Sequence, residues 1–275
     1  MQKVTPRRVM IFQAAALLLC LLALTSCAER TGTKPTPEAA QQVLKLRGYE
    51  FDEKGFHAAA SARDIMAINA FFDAGINPNA QDEPDGRTAL ISAAARGDLE
   101  VVNLLVQRGA DVNVKDKQGY TALFHAIEAM YDDVELVLLN HPKLDANVRG
   151  KNGATALMSY VWKDRRDAVE KLLERGADVN AQDADGDAPL HGVAQSGNVE
   201  ILNLLLDKGA DPNIKNRLGG TPLMWAAVFG NESAAVRLLE RGANAKSKDA
   251  DGMTALDWAR KNKRQKLVAL LVKHT

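Results

Sequence analysis

Apolar positions along the chain follow two different patterns. From Val9 to Leu24 they run almost unbroken, interrupted only by Gln13 and preceded by Lys3, Arg7 and Arg8. Further on they fall into short clusters at helical spacing, separated by Gly, Asp and Asn. In one such stretch Ala89, Leu90, Ala93 and Ala94 give a helix a small apolar face, which lets a neighbouring helix approach closely. Gly97-Asp98 breaks that helix, and Leu99, Val101, Val102, Leu104 and Leu105 form the larger face of a second one. Thr88 is placed to cap the first helix and Asp98 the second, since side-chain oxygens there accept from free amides of the first turn. Gly109 then ends the pair in the left-handed conformation, and the polar run to Gly119 reads as a turn. One pair cannot bury both apolar faces by itself, so the pattern calls for stacking.

The pair recurs. Gly-x-Thr-Ala/Pro-Leu, with Ala188 replacing Thr in one case, has its glycine at 86, 119, 153, 186, 219 and 252, a period of 33 or 34 residues. Gly-Ala-Asp-x-Asn recurs at 109–113, 176–180 and 209–213, with variants at 75–79, 143–147 and 242–246. These motifs, with Ala188-Pro189-Leu190-His191, resemble ankyrin repeats over about residues 48–275. The resemblance implies an all-α solenoid of helix-turn-helix units joined by hairpin loops. The departures are local. The 113–147 unit carries one extra residue, assigned to Ala129–Asp133 between its helices, and the Asp82-Glu83-Pro84-Asp85 turn carries another. Tyr160 stands where the family prefers Ala, and Asp164 where it prefers the interhelical Gly. Trp225 and Trp258, each one residue before a small Ala, are read as inter-repeat core.

The expected organisation is a signal peptide at 1–26, a tether at 27–36, an N-terminal helix (Pro37–Leu46) with a degenerate capping repeat to 81, and six repeats over 82–275, the last truncated. In the degenerate unit Phe56, Phe71 and Phe72 close the core. The basic n-region and apolar run have the form of a secretory signal, and a run of 16 residues is short for a membrane span. Leu24-Thr25-Ser26-Cys27 resembles the lipobox of bacterial lipoproteins, which implies cleavage after Ser26 and lipid on Cys27. Ala28 after that cysteine, rather than Asp, leans towards the periplasmic face of the outer membrane, with the inner membrane as the other location.

Charge and chemistry narrow the function. The chain has 35 Lys+Arg against 35 Asp+Glu, which argues against a nucleic-acid partner. Removing the signal takes away Lys3, Arg7 and Arg8 and leaves the mature chain at −3. Two cysteines, Cys20 and Cys27, are too few for a disulfide framework or a cysteine-rich metal site. Asp183–Asp187 has its glycine in the wrong place for a calcium loop and repeats elsewhere as a hairpin tip. Of the histidines, His191 is expected to tie backbone between repeats, and none stands beside a nucleophile motif. No cofactor, metal or catalytic residue is therefore expected.

What remains is recognition of a protein. The resemblance implies binding through the hairpin tips and the exposed side of each first helix. Carried over, that face comprises Arg87, Tyr120, Glu128, Trp162, Lys163, Gln195, Arg217, Leu218, Val228, Phe229 and Met253. The expected role is a lipid-anchored adaptor in the bacterial envelope. An immunity-type lipoprotein that sequesters a toxin is the alternative, and an enzyme with a dispersed groove site a more distant one.

Overall fold

The computed structural model describes residues 35–274, and the signal, lipobox and most of the tether lie outside the described residues. Among the described residues there are fifteen helices and no strand, only two isolated bridges between Gln81 and Thr88 and between Arg149 and Thr155. A first helix, α1 (Pro37–Leu46), precedes seven pairs. These are α2 (Glu53–Ser61) with α3 (Ile65–Asp73), α4 (Ala89–Arg96) with α5 (Leu99–Gln107), and α6 (Ala122–Ala129) with α7 (Asp132–Asn140). Then come α8 (Ala156–Trp162) with α9 (Arg166–Glu174), and α10 (Pro189–Ser196) with α11 (Val199–Asp207). The last are α12 (Pro222–Phe229) with α13 (Glu232–Glu240), and α14 (Ala255–Lys261) with α15 (Gln265–Leu271). The first helices of the pairs stack on one another as an inner row and the second helices as an outer row, while α1 packs on α3 at the end of the outer row. None of these helices is long and apolar enough to cross a membrane.

The repeated residues do repeated jobs. Thr88, Thr155, Thr221 and Thr254 each accept the amide three residues on, so the inner helices begin with a satisfied first turn. Ala188 has no hydroxyl, and His191 Nδ1 instead accepts the Ala188 amide at 3.0 Å. The Asn of the second motif builds a ladder between loops. Its Oδ1 accepts the amide of Asp111, Asp145, Asp178, Asp211 and Asn244 from Asn79, Asn113, Asn147, Asn180 and Asn213 in turn, at 2.7–2.9 Å. From Asn113 onward the Nδ2 also donates to a carbonyl of the following loop.

Several local expectations change. Asp98 occupies the cap position of α5 but accepts no amide; its buried carboxylate is taken by Arg96 and Arg63. The α6–α7 connection has the ordinary length, with Met130 at the left-handed position, φ 59°, that Gly97 holds between α4 and α5. The extra residue of that unit lies after α7 instead, where His141 precedes Pro142 and is extended, as a residue before proline must be. The extra residue of the first turn is where the sequence puts it. The Asp82 amide reaches the carbonyl five residues on, Arg87, where Asp116, Asp183, Asn216 and Asp249 each reach the fourth.

The core runs the length of the stack. Phe56 and Phe71 are fully buried, with ring centroids 5.6 Å apart, and Phe72 is half-buried against Phe56. Tyr160 is also fully buried, at the position of Ala93, Ala126 and Ala226 in other inner helices. The charged Glu135, buried on α7 at the position of Val102, Val169 and Leu202, stands near the Tyr160 hydroxyl. Burial, with Glu135 beside it, pushes the Tyr160 phenol well above the usual range, so the ring stays protonated. At this bulky pair α6–α8 and α7–α9 approach more sparsely than the matching helices of the other repeats on the C-terminal side.

Candidate functional site

On most inner helices the positions four, seven and eight residues after the cap lie on the side that neighbouring helices leave open. In α4 these are Ser92, Ala95 and Arg96, small or polar. In α8, α10, α12 and α14 the same positions collect the three tryptophans of the chain. The order of small and large residues makes a ridge of them. Gly192 takes the first of these positions on α10 and is itself buried, with the indole of Trp162 from α8 lying across the space it leaves; a Cβ on Gly192 would stand 3.2 Å from that ring. Trp162 thereby reaches Trp225 of α12, with centroids 6.4 Å apart and the rings edge to face. Trp225 continues to Phe229 at 5.9 Å and rests on His191 at 5.7 Å. Trp162 and Phe229 keep 47% and 43% of their surface exposed, although both are large and apolar. Trp258 of α14 stands at the same position as Trp225, its Nε1 donating to Asp249 at 2.7 Å.

One reading from sequence changes here. Trp225 and Trp258 are not enclosed between repeats; both pack on the core with one side and remain part-exposed. The signal that would have found the ridge is Gly192: a glycine on the open side of a helix leaves room for a side chain from the preceding repeat.

The other expected face residues are dispersed. Leu218 is 73% exposed at a hairpin tip, next to exposed Arg217. Val228 and Gln195 are half-buried beside the ridge, Lys163 follows Trp162 and is exposed, and Met253 is half-buried before α14. Glu128 is exposed on α6, away from the aromatic group. Tyr120 is half-buried, packed on Phe124 and His125 with centroids 5.8 Å away in both cases. Arg87 is drawn to the buried Asp116, 3.9 Å away.

The titrating groups near this face are tied to the backbone or to each other. His125 Nε2 bonds Asp116 Oδ2 at 2.7 Å. Burial works against ionisation of Asp116, but His125 and the Tyr120 and Gln118 amides together hold its carboxyl below the usual range. His191 bonds the Gly220 carbonyl of the next repeat at 3.1 Å, the tie between repeats that its position implies. Its burial pushes the imidazole below the ordinary value against the pull of that bond, so it is neutral at pH 7. His57 reaches the Ala80 carbonyl at 3.0 Å. Among the described residues no three His, Cys, Asp or Glu side chains are grouped as a metal site. The arrangement offers a ribbed apolar surface with hydrogen-bonded edges.

Comparison with known proteins agrees with this architecture. A family model of ankyrin repeats in three copies matches residues 56–149 and 190–275, and one of ankyrin repeats in many copies matches 138–193. The crystal structure of an ankyrin repeat domain from Acinetobacter baumannii is similar, with 26% identity and a TM-score of 0.62, over 67% of this chain and 96% of that one. That of the ankyrin repeat domain of Bcl-3, a member of the IkappaB family, has 29% identity and a TM-score of 0.65, over 78% of this chain and 97% of that one. No curated protein sequence matches the chain. The family models cover the stack from α2 to α15, and the chain belongs to the ankyrin-repeat proteins.

Proposed function

We propose that this is a lipid-anchored adaptor of the bacterial envelope, held through Cys27 at the periplasmic face of the outer membrane and binding another protein by its inner-helix face, without chemistry of its own. The observation that supports the binding face is the exposed ridge Trp162–Trp225–Phe229. Solitary exposed apolar residues are ordinary, but a contiguous aromatic group on a rigid scaffold marks an interaction surface. Aromatic residues of this kind supply most of the energy at interface centres. The support for the anchor is the sequence: a basic segment, an apolar run and Leu24-Thr25-Ser26-Cys27.

Two measurements test the two halves. A photo-crosslinking residue at position 229 should capture a discrete protein in cells, while the same residue at Leu136 on the outer row should not. Once that partner is purified, Trp162→Ala or Phe229→Ala should weaken the complex by at least ~2 kcal/mol, the scale of a hot spot, with the far-ultraviolet spectrum unchanged. Capture from position 136 alone would sink the inner-face reading. For the anchor, the wild-type chain should stay with membranes in high salt, since screening does not release acyl chains, and Cys27→Ser should not. Release of the wild type by salt would remove the lipoprotein assignment.

A further inference from the structure

We infer that the inner face from α8 to α14 is built for an acidic segment of the partner protein, one that presents carboxylates beside an apolar anchor; this rests on the inner-face reading above and specifies its partner. The four inner helices here hold a single carboxylate, Asp257. It is turned back on its own cap, accepting from Thr254 Oγ1 at 2.6 Å, with Arg260 3.9 Å away. At the open-side positions of these helices the only charged residues are Lys163 and Lys261. Lys163 directly follows Trp162, and Lys261 lies over the Trp258 ring with its Nζ 4.4 Å from the centroid. Exposed Arg217 stands at the tip leading into α12.

Several cations of the outer row are already paired. There Arg165 pairs with Asp132 at 2.8 Å, Arg241 with Asp207 at 2.8 Å, and Lys266 with Glu232 at 3.5 Å. Lys163, Arg217 and Lys261 have no carboxylate within ion-pair distance among the described residues. The chain as a whole has no basic surplus, with 35 residues of each sign, so the bias is one of placement. Carboxylates on this side are held at the rim: Asp185 and Asp251 sit at hairpin tips, while Asp164 takes Ser196 Oγ and Asp187 takes Asn216 Nδ2. A carboxylate seated next to the aromatic ridge is shielded from water on one side, where attraction to a lysine is stronger than in bulk solvent. A nucleic-acid strand brings a charge at every nucleotide and calls for a continuous basic track. Three separated cations with carboxylates at the rim suit a protein segment better.

All three tryptophans lie on this face, so their fluorescence reports its occupation. The full chain in detergent micelles is titrated at low salt with a synthetic 15-residue peptide of Glu, Leu and Phe, and with versions carrying Gln or Lys in place of Glu. The Glu peptide should bind at least about ten-fold tighter than the Gln peptide, the Lys peptide weakest, and added salt should erase the difference. Lys163→Glu with Lys261→Glu should reverse the order while the far-ultraviolet spectrum stays the same. Equal binding of the Glu and Gln peptides, both lost in Trp162→Ala, overturns the acidic preference and leaves the inner-face reading standing. Glu-peptide binding that survives Trp162→Ala and Phe229→Ala together removes the inner-face reading itself. Absence of binding by every peptide, or tighter binding of oligothymidylate than of the Glu peptide, overturns the proposal.

Discussion

His191 shows how one side chain joins two repeats and what that costs in acid. Its Nδ1 accepts the Ala188 amide and its Nε2 donates to Gly220, so the neutral ring completes both bonds and a second ring proton has no acceptor. The folded pKa lies below the unfolded value, chiefly through burial. The folded state therefore binds fewer protons than the unfolded chain as pH falls below about 6.5, and stability drops. His141 is lowered too, by burial and by Lys143 and Arg175, and adds in the same direction. Asp187, raised by burial, acts oppositely but in the carboxylate range, at lower pH. Urea midpoints should fall from pH 7.5 to pH 5.5. His191→Gln should lower the midpoint at pH 7.5 and flatten its pH dependence. An equal slope in wild type and variant would show that the proton is taken up elsewhere.

Among the helical elements, the interhelical turn is the part most sensitive to residue type. Gly97, Gly197 and Gly230 take it with φ of 70–88°, while Arg63, Met130, Asp164 and Lys263 take it with φ of 53–59°. A side chain in that region costs about 1–2 kcal/mol relative to glycine. Met130→Gly should therefore raise the urea midpoint. Gly97→Ala should lower it, because its Cβ would also stand 2.7 Å from the Tyr131 ring. If both variants melt like wild type, the turn is not a point of backbone strain. Asp164 gains less from glycine, since its carboxylate holds Ser196. The glycine turns and the threonine caps were legible in the sequence because each depends on neighbours within a few residues, whereas the asparagine motif was legible as a loop but its bonds to the next repeat were not. The site was legible only in part. Trp162 and Phe229 could be placed on the right face by counting along their own helices. The contact from Trp162 across Gly192 to Trp225 spans three repeats, and no local spacing encodes it. The misplaced extra residue has the same origin: motif spacing gives the length of a unit but not which turn absorbs the addition.

At the scale of the whole molecule, the solenoid behaves as a row of units coupled mainly to their neighbours, so one weak seam can divide it. The seam is between the α6–α7 and α8–α9 units. Tyr160 brings a phenol ring to the position of Ala93, Ala126, Ala226 and Ala259 in other repeats, and Glu135 brings a carboxylate to one that is otherwise aliphatic. Both are buried, and the helices on either side approach more sparsely there. A buried carboxylate carries a desolvation cost that the valine or leucine of other units does not. On the N-terminal side α4 and α6 pack closely, and on the C-terminal side α12 and α14 do. The expected outcome is unfolding in two steps, one for α1–α7 and one for α8–α15. The chain provides its own probe, since Trp162, Trp225 and Trp258 all lie beyond the seam while helices on both sides contribute to circular dichroism. Urea curves followed by tryptophan fluorescence should thus separate from curves followed at 222 nm, whereas a two-state protein gives coincident curves. Tyr160→Ala should widen the separation, because truncating a buried aromatic costs roughly 3–5 kcal/mol and here falls mainly on the interface. Coincident transitions in wild type and variant alike would show that the seam couples its neighbours as firmly as any other. If the transitions do separate, the half bearing the aromatic ridge can keep its binding face while the N-terminal half opens.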